Sequence, residues 1–114
     1  MRVLFICSRN IWRSKTAEDM YKLTPGLDVR SAGTSPFARI HVKASDILWA
    51  DVIIVMEKKH KEILEQRFGA RMTGKDVKVL HIPDKYHYMH PLLVEILRQK
   101  LDEYFEEKSE RGNP

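Results

Sequence analysis

Apolar and polar positions in this chain switch between two rhythms, and the switching sets out its elements. Val3, Leu4, Phe5 and Ile6 form an unbroken run that predicts a buried strand over residues 2–6. Ala17, Met20 and Tyr21 then share one face of a helix over 14–22, with Leu23 behind them, and Thr24-Pro25-Gly26 stops it. Residues 27–31 predict a second strand, followed by a turn at Ala32-Gly33-Thr34-Ser35-Pro36. A short helix is expected over 42–49, and residues 52–56 repeat the continuous apolar pattern of a strand covered on both faces. Ile63, Leu64 and Phe68 mark the inner face of a charged helix over 58–68 that ends at Gly69, and 77–82 gives a fourth strand. From 91 to 107, Leu93, Ile96, Leu97, Leu101, Tyr104 and Phe105 recur at helical spacing, with Pro91 suited to the first turn.

Strand and helix thus alternate four times. That order argues for an α/β fold, a four-stranded parallel sheet with helices on both faces and right-handed crossovers. The 114 residues have room for one domain, 1–114, with no internal repeat or linker, and the polar tail 108–114 is expected to fray.

Composition narrows the classes. Hydrophobic residues at 43% and charged residues at 32% describe a soluble globular chain without a disordered tract. The net charge of +4 favours anionic ligands, but the basic residues are scattered, so no nucleic-acid partner is expected. A single cysteine cannot close an internal disulfide, which fits a reducing compartment. The apolar run at the start is too short for the core of a signal peptide, and no stretch approaches a membrane span. These readings predict a cytoplasmic protein with no membrane partner.

The chemistry concentrates in one segment. Cys7 follows the first strand directly and begins Cys7-Ser8-Arg9-Asn10-Ile11-Trp12-Arg13-Ser14, which runs into the first helix. A cysteine acts as a nucleophile only as its thiolate, so its usual pKa of about 8.5 must be lowered by positive charge or a helix N-terminus. Arg13 brings a guanidinium back to the thiol, in a planar fork suited to bidentate contact with phosphate. Backbone N–H groups of residues 8–13 line such a cradle, a helix starting near Arg13 or Ser14 adds its dipole, and the Ser14 hydroxyl is placed to donate to the sulfur. Ligands of open α/β sheets bind beyond the carboxyl ends of the strands, where Cys7 lies. Against this stands the plain alternative of a small buried hydrophobe at a strand end.

These residues resemble the low-molecular-weight protein tyrosine phosphatase family, whose signature is a strand, then Cys, five residues, Arg and Ser opening a helix. Val3 to Glu18 follows it, including Asn10-Ile11 and Ala17-Glu18. Ser31-Ala32-Gly33-Thr34 resembles the family's second-strand turn, Ala50 to Glu57 its third strand, and Ile82-Pro83-Asp84 the loop bearing its general acid. The resemblance implies a flavodoxin-like architecture and a phosphomonoesterase needing neither metal nor cofactor, acting on phosphotyrosine or small aryl phosphates through a cysteinyl-phosphate. It also implies roles. Cys7 is the nucleophile, Arg13 binds the equatorial oxygens, Ser14 stabilises the thiolate, Asn10 and Ser31 brace the loop, and Asp84 is acid and then base. The partner is then a phosphorylated protein or a small phosphate ester.

The chain departs from that pattern at Arg9, Trp12 and Lys15, where the family usually has Gly, a second Cys and Pro. Only fifteen residues separate Thr34 from Ala50, so the loop that carries an aromatic pocket wall is missing and a more open pocket is expected. Glu57 rivals Asp84 as the acid because it too follows a strand, and Lys85 beside Asp84 favours the charged carboxylate. Trp12, Tyr86 and Tyr88 are candidates for a substrate rim, with ordinary packing as the alternative, and Trp49 reads as core. His81, His87 and His90 lack the carboxylate or cysteine spacing of a zinc site, so no metal is expected. Lys58-Lys59-His60-Lys61 reads as a solvated basic face. Two other functions remain open at this level: an arsenate reductase drawing on an external thiol, and a phosphate- or phosphoprotein-binding module without turnover.

Overall fold

The first strand, β1 (Arg2–Cys7), is buried at every residue but Arg2, because it lies inside a sheet with a helical layer on each side. In this computed structural model, which describes residues 1–111, the elements continue as α1 (Arg13–Tyr21), β2 (Asp28–Gly33), α2 (Ala44–Trp49), β3 (Val52–Val55), α3 (Lys58–Phe68), β4 (Asp76–Val79) and α4 (Pro91–Arg111). All strand pairs are parallel, in the order β2-β1-β3-β4. The four-stranded α/β sheet expected from the alternation is therefore present.

Side-chain alternation along β1 divides the core. Val3, Phe5 and Cys7 face α1 and α4, joining Ala17, Tyr21, Leu93, Leu97, Leu101 and Phe105, while Leu4 and Ile6 face α2 and α3, joining Ile47, Leu64 and Phe68. Tyr21 meets Phe105 edge to face at 4.9 Å, which ties α1 to α4. Trp49, expected in the core, is half-buried, and the Arg30 guanidinium lies 4.1 Å from its ring centre.

Several boundaries move. The second strand runs on to Gly33, through residues expected to turn, because Ala32 and Gly33 pair with Ile6 and Cys7. The fourth stops at Val79, after which Leu80 and Ile82 donate singly to the carbonyls of Val55 and Met56. Gly69 ends α3 with φ +48° and opens a short 3₁₀ turn to Met72 that has no counterpart in the expected elements. Helix α4 reaches Arg111, so the tail expected to fray from 108 starts inside it, and 112–114 lie outside the described residues. Among the described residues no helix is long and apolar enough to cross a membrane.

The order matters for function. From β1 the chain crosses to β2 on one side, and β3 then joins on the other, so the connections reverse direction at β1. A crevice opens outside the carboxyl end of such a strand. Cys7 is the last residue of β1.

Candidate active site

Residues 8–12 wrap back over the end of β1 and deliver Arg13 and Ser14 as the first residues of α1. The turn needs Asn10 in the left-handed region, φ +58°, a conformation asparagine tolerates better than most residues. The loop is held from outside by the segment after β2. Thr34, Ser35 and Arg39 donate their backbone N–H groups to the carbonyls of Cys7, Ser8 and Arg9 at 3.0, 2.9 and 2.9 Å. Gly33 permits this approach, because a Cβ there would lie 2.4 Å from the Ser8 carbonyl oxygen.

Cys7 is buried, but its sulfur is not lost in hydrocarbon. It accepts the Asn10 backbone N–H at 3.2 Å and lies 2.9 Å from Ser14 Oγ. Asn10 Nδ2 in turn donates to Ser14 Oγ at 2.7 Å. A cavity of about 150 Å³ opens over the sulfur, lined by Cys7, Arg9, Asn10, Ile11, Trp12, Arg13 and Asp84. That is well below the roughly 300–1,000 Å³ of pockets that enclose a whole drug-sized ligand, so it suits the head of a substrate. A larger cavity, about 540 Å³, lies at the amino ends of the strands among Met1, Tyr21, Leu27 and Phe105, away from Cys7.

Arg13 is the most constrained side chain of the site. It is 1% exposed, and its Nη1 donates to Glu57 Oε2 at 2.5 Å and to the Ile82 carbonyl at 2.8 Å. Its Nε is buried with no hydrogen-bond partner, with Asp84 Oδ1 3.6 Å away. An unpaired buried guanidinium N–H is costly, and a tetrahedral oxyanion beside Cys7 would satisfy it. Burial alone would raise the Glu57 carboxyl, but the hydrogen bond and charge of Arg13 outweigh burial and hold it below its ordinary range. Glu57 is therefore an anionic clamp on Arg13, while Asp84 lines the cavity itself.

The remaining expected residues divide. Ser8 forms part of the loop without lining the cavity, and Ser31 sits on β2, where its hydroxyl donates to Glu18 Oε1 at 2.6 Å. It therefore braces α1 rather than touching the loop. Trp12 lines the cavity and stacks on His87 with ring centres 4.5 Å apart. Neither tyrosine does so: Tyr86 packs against the core, and Tyr88 donates its hydroxyl to Asp19 Oδ2. Among the described residues no group of three or more His, Cys, Asp or Glu is placed to hold a metal ion.

Two side chains at this site had no role in the sequence reading. His60, read there as part of a solvated run, is fully buried. Burial, with the Arg13 charge adding, pushes its imidazole down to about 4, so it is neutral at pH 7. Its Nδ1 accepts the Glu57 backbone N–H at 3.0 Å, which leaves the proton on Nε2, 2.9 Å from Ser8 Oγ. Arg39 is the other, donating from Nε to the Asn10 carbonyl and from Nη2 to Asn10 Oδ1, each at 3.0 Å.

No family model and no curated protein matches the sequence. Solved structures do. The tyrosine phosphatase Wzb from Escherichia coli, solved with phosphate, is 22% identical with a TM-score of 0.74, covering 93% of this chain and 96% of that one. The low molecular weight protein tyrosine phosphatase SP-PTP of Streptococcus pyogenes is 19% identical with a TM-score of 0.72, over 92% and 97%. The arginine phosphatase YwlE of Geobacillus stearothermophilus is 20% identical with a TM-score of 0.68, over 96% of each chain. The four-stranded sheet and its covering helices are therefore the fold of the low molecular weight protein tyrosine phosphatases.

Proposed function

We propose that this protein is a cysteine-dependent phosphatase that hydrolyses phosphotyrosine or small aryl phosphate monoesters through a cysteinyl-phosphate. The observation that carries the reading is Arg13, fully buried, fastened at one nitrogen and left with an unpaired Nε next to the cavity over Cys7. Donors fixed in place before the substrate arrives are what preorganised stabilisation of a phosphoryl group requires.

In the first step the Cys7 sulfur attacks phosphorus and the bond from phosphorus to the leaving oxygen breaks, while Asp84 gives that oxygen its proton. In the second, water attacks phosphorus, Asp84 takes a proton from it, and the S–P bond breaks to return the thiolate and release inorganic phosphate. Arg13 and the loop N–H groups hold the nonbridging oxygens in both. Ser14, beside the sulfur, stabilises it as nucleophile and as leaving group. The Trp12 ring gives an aryl ester a flat wall. The substrate is a phosphorylated protein or a small phosphate ester, and the proposed setting is the cytoplasm.

The test is hydrolysis of an aryl phosphate, a phosphotyrosine peptide and a phosphoarginine peptide with a chelator present, beside Cys7→Ser. Chelator-resistant release of phosphate from the aryl substrates, lost in the variant, supports the reading. Binding of phosphopeptide without release would mark a recognition module, thiol-dependent loss of arsenate a reductase, and preference for the phosphoarginine peptide would overturn the aryl assignment.

A further inference from the structure

We propose that Arg39, 29 residues from the loop it touches, is a positioning residue that sets the direction of hydrogen bonding to the Cys7 sulfur. A guanidinium has only donors, whereas the asparagine amide has one donor end and one acceptor end. With Arg39 Nη2 3.0 Å from one end of the Asn10 amide, that end must be Oδ1. The other end, 2.7 Å from Ser14 Oγ, is then the NH₂ group, and it donates. Ser14 Oγ thus accepts from Asn10 and has its single proton free for the nearest remaining acceptor, Cys7 Sγ at 2.9 Å. The sulfur receives this O–H as well as the Asn10 backbone N–H at 3.2 Å.

Without Arg39 the amide is free to turn over. Its oxygen would then face Ser14 and take the hydroxyl proton for itself, and the sulfur would lose one of two donors. Arg39 also pins the strained residue directly, through its Nε bond to the Asn10 carbonyl, and its own backbone N–H holds the Arg9 carbonyl at 2.9 Å. The same Nη2 lies 3.8 Å from Glu18 Oε1, the carboxylate that Ser31 also binds, so the guanidinium is supported by α1 and β2 together. Arg39 neither touches the sulfur nor itself lines the cavity, and acts through Asn10 and Ser14.

For turnover the inference rests on the phosphatase reading above, but its first readout does not. Alkylation of Cys7 by iodoacetamide is to be compared in the parent and Arg39→Met at about pH 6 and about pH 9.5. Losing one hydrogen bond to a charged sulfur is expected to slow alkylation about tenfold at the lower pH and leave the higher-pH rate within about twofold. Arg39→Lys, with a donor for one of the two oxygens, is expected to fall between. Release of the cysteinyl-phosphate should slow in parallel, since the departing sulfur loses the same donor. Parent-like alkylation of a folded Arg39→Met protein at the lower pH overturns the proposal, and so does an equal fall at both, which marks lost access. Should that variant fail to fold, Arg39→Gln must lose part of the low-pH rate, and a parent-like rate overturns the proposal. A parent that alkylates as described yet hydrolyses no phosphate ester refutes the proposed function and leaves the relay standing.

Discussion

Glu57 Oε2 lies 2.5 Å from Arg13 Nη1, and the same nitrogen donates to the Ile82 carbonyl at 2.8 Å, so one corner of the guanidinium is fastened twice. Nε, which has no hydrogen-bond partner, lies 3.6 Å from Asp84 Oδ1 beside the cavity. A planar five-donor fork held this way has its bidentate face set before any anion arrives, which lowers the ordering cost of binding. The clamp and the ligand edge are separate.

Removing the clamp should therefore show as poorer phosphate positioning. Glu57→Gln keeps an acceptor but loses the charge, and is expected to lower kcat/KM for an aryl phosphate about tenfold, mainly through KM. Because the native Glu57 carboxyl sits below its ordinary value of 4.5, its contribution to stability is present above that value and is lost as pH falls through the depressed native one. Denaturant unfolding below about pH 4.5 should thus be less pH-dependent in Glu57→Gln than in the parent. An unchanged acid limb would contradict the assigned ion pair.

Asp84 is expected to behave differently. It lines the cavity and pairs with Arg13 Nε at 3.6 Å, a looser contact than the 2.5 Å hydrogen bond from Arg13 to Glu57. Asp84→Asn should lower kcat about 10²- to 10³-fold for alkyl phosphates, whose leaving oxygen needs a proton, and by much less for p-nitrophenyl phosphate, which leaves unaided. Should Glu57→Gln show that leaving-group dependence and Asp84→Asn not show it, the acid is Glu57.

Much of this was legible in the chain, and the boundary of what was legible is physical. Val3 to Ile6 and Val52 to Val55 declare themselves as strands because a parallel sheet covered on both faces demands continuous apolar runs. Cys7, Asn10, Arg13 and Ser14 could be read together because a single turn of loop brings near neighbours in sequence to one point. Strand ends fared worse: Gly33 reads locally as a turn, and only pairing with Cys7 makes it a strand. Arg39 carried no signal and His60 read as solvated surface, since each acts on a partner 29 or 52 residues away and nothing in Ala38-Arg39-Ile40 or Lys59-His60-Lys61 announces it. Tyr86 and Tyr88 read as rim candidates beside Asp84, yet the chain turns Tyr88 to Asp19, and of the three rim candidates only Trp12 lines the cavity.

Gly33 offers a test of how tightly the cradle is backed. A methyl group there would meet the Ser8 carbonyl oxygen at 2.4 Å and Ala38 Cβ at 2.7 Å, and the first of these is backbone that cannot swing aside. Gly33→Ala should cost about 1–3 kcal/mol by overpacking and push the loop off the end of β2. Thermal melting and kcat/KM are expected to fall together. A variant with parent-like melting and activity would mean that the loop has slack the structure does not show.

His60 gives the pH dependence its sign on the basic side of the Glu57 effect. Its native imidazole titrates at about 4 against an ordinary value of 6.5, because burial and then the Arg13 charge disfavour the cation. The unfolded chain therefore binds a proton here that the folded chain refuses, so the stabilisation is complete above 6.5 and drains away as pH falls toward 4. One such group sets a slope of up to about 1.4 kcal/mol per pH unit within that window. His60→Gln retains a side-chain donor for Ser8 Oγ but cannot titrate. It is expected to be less stable than the parent at pH 7, where the packed ring is missed, and to lose less stability between pH 6.5 and 4.5. Denaturant unfolding of both proteins at closely spaced pH values measures the two slopes. Parallel slopes would show that the folded protein takes up the His60 proton as readily as the unfolded chain does, and on protonation Glu57 N–H would then need another acceptor than Nδ1.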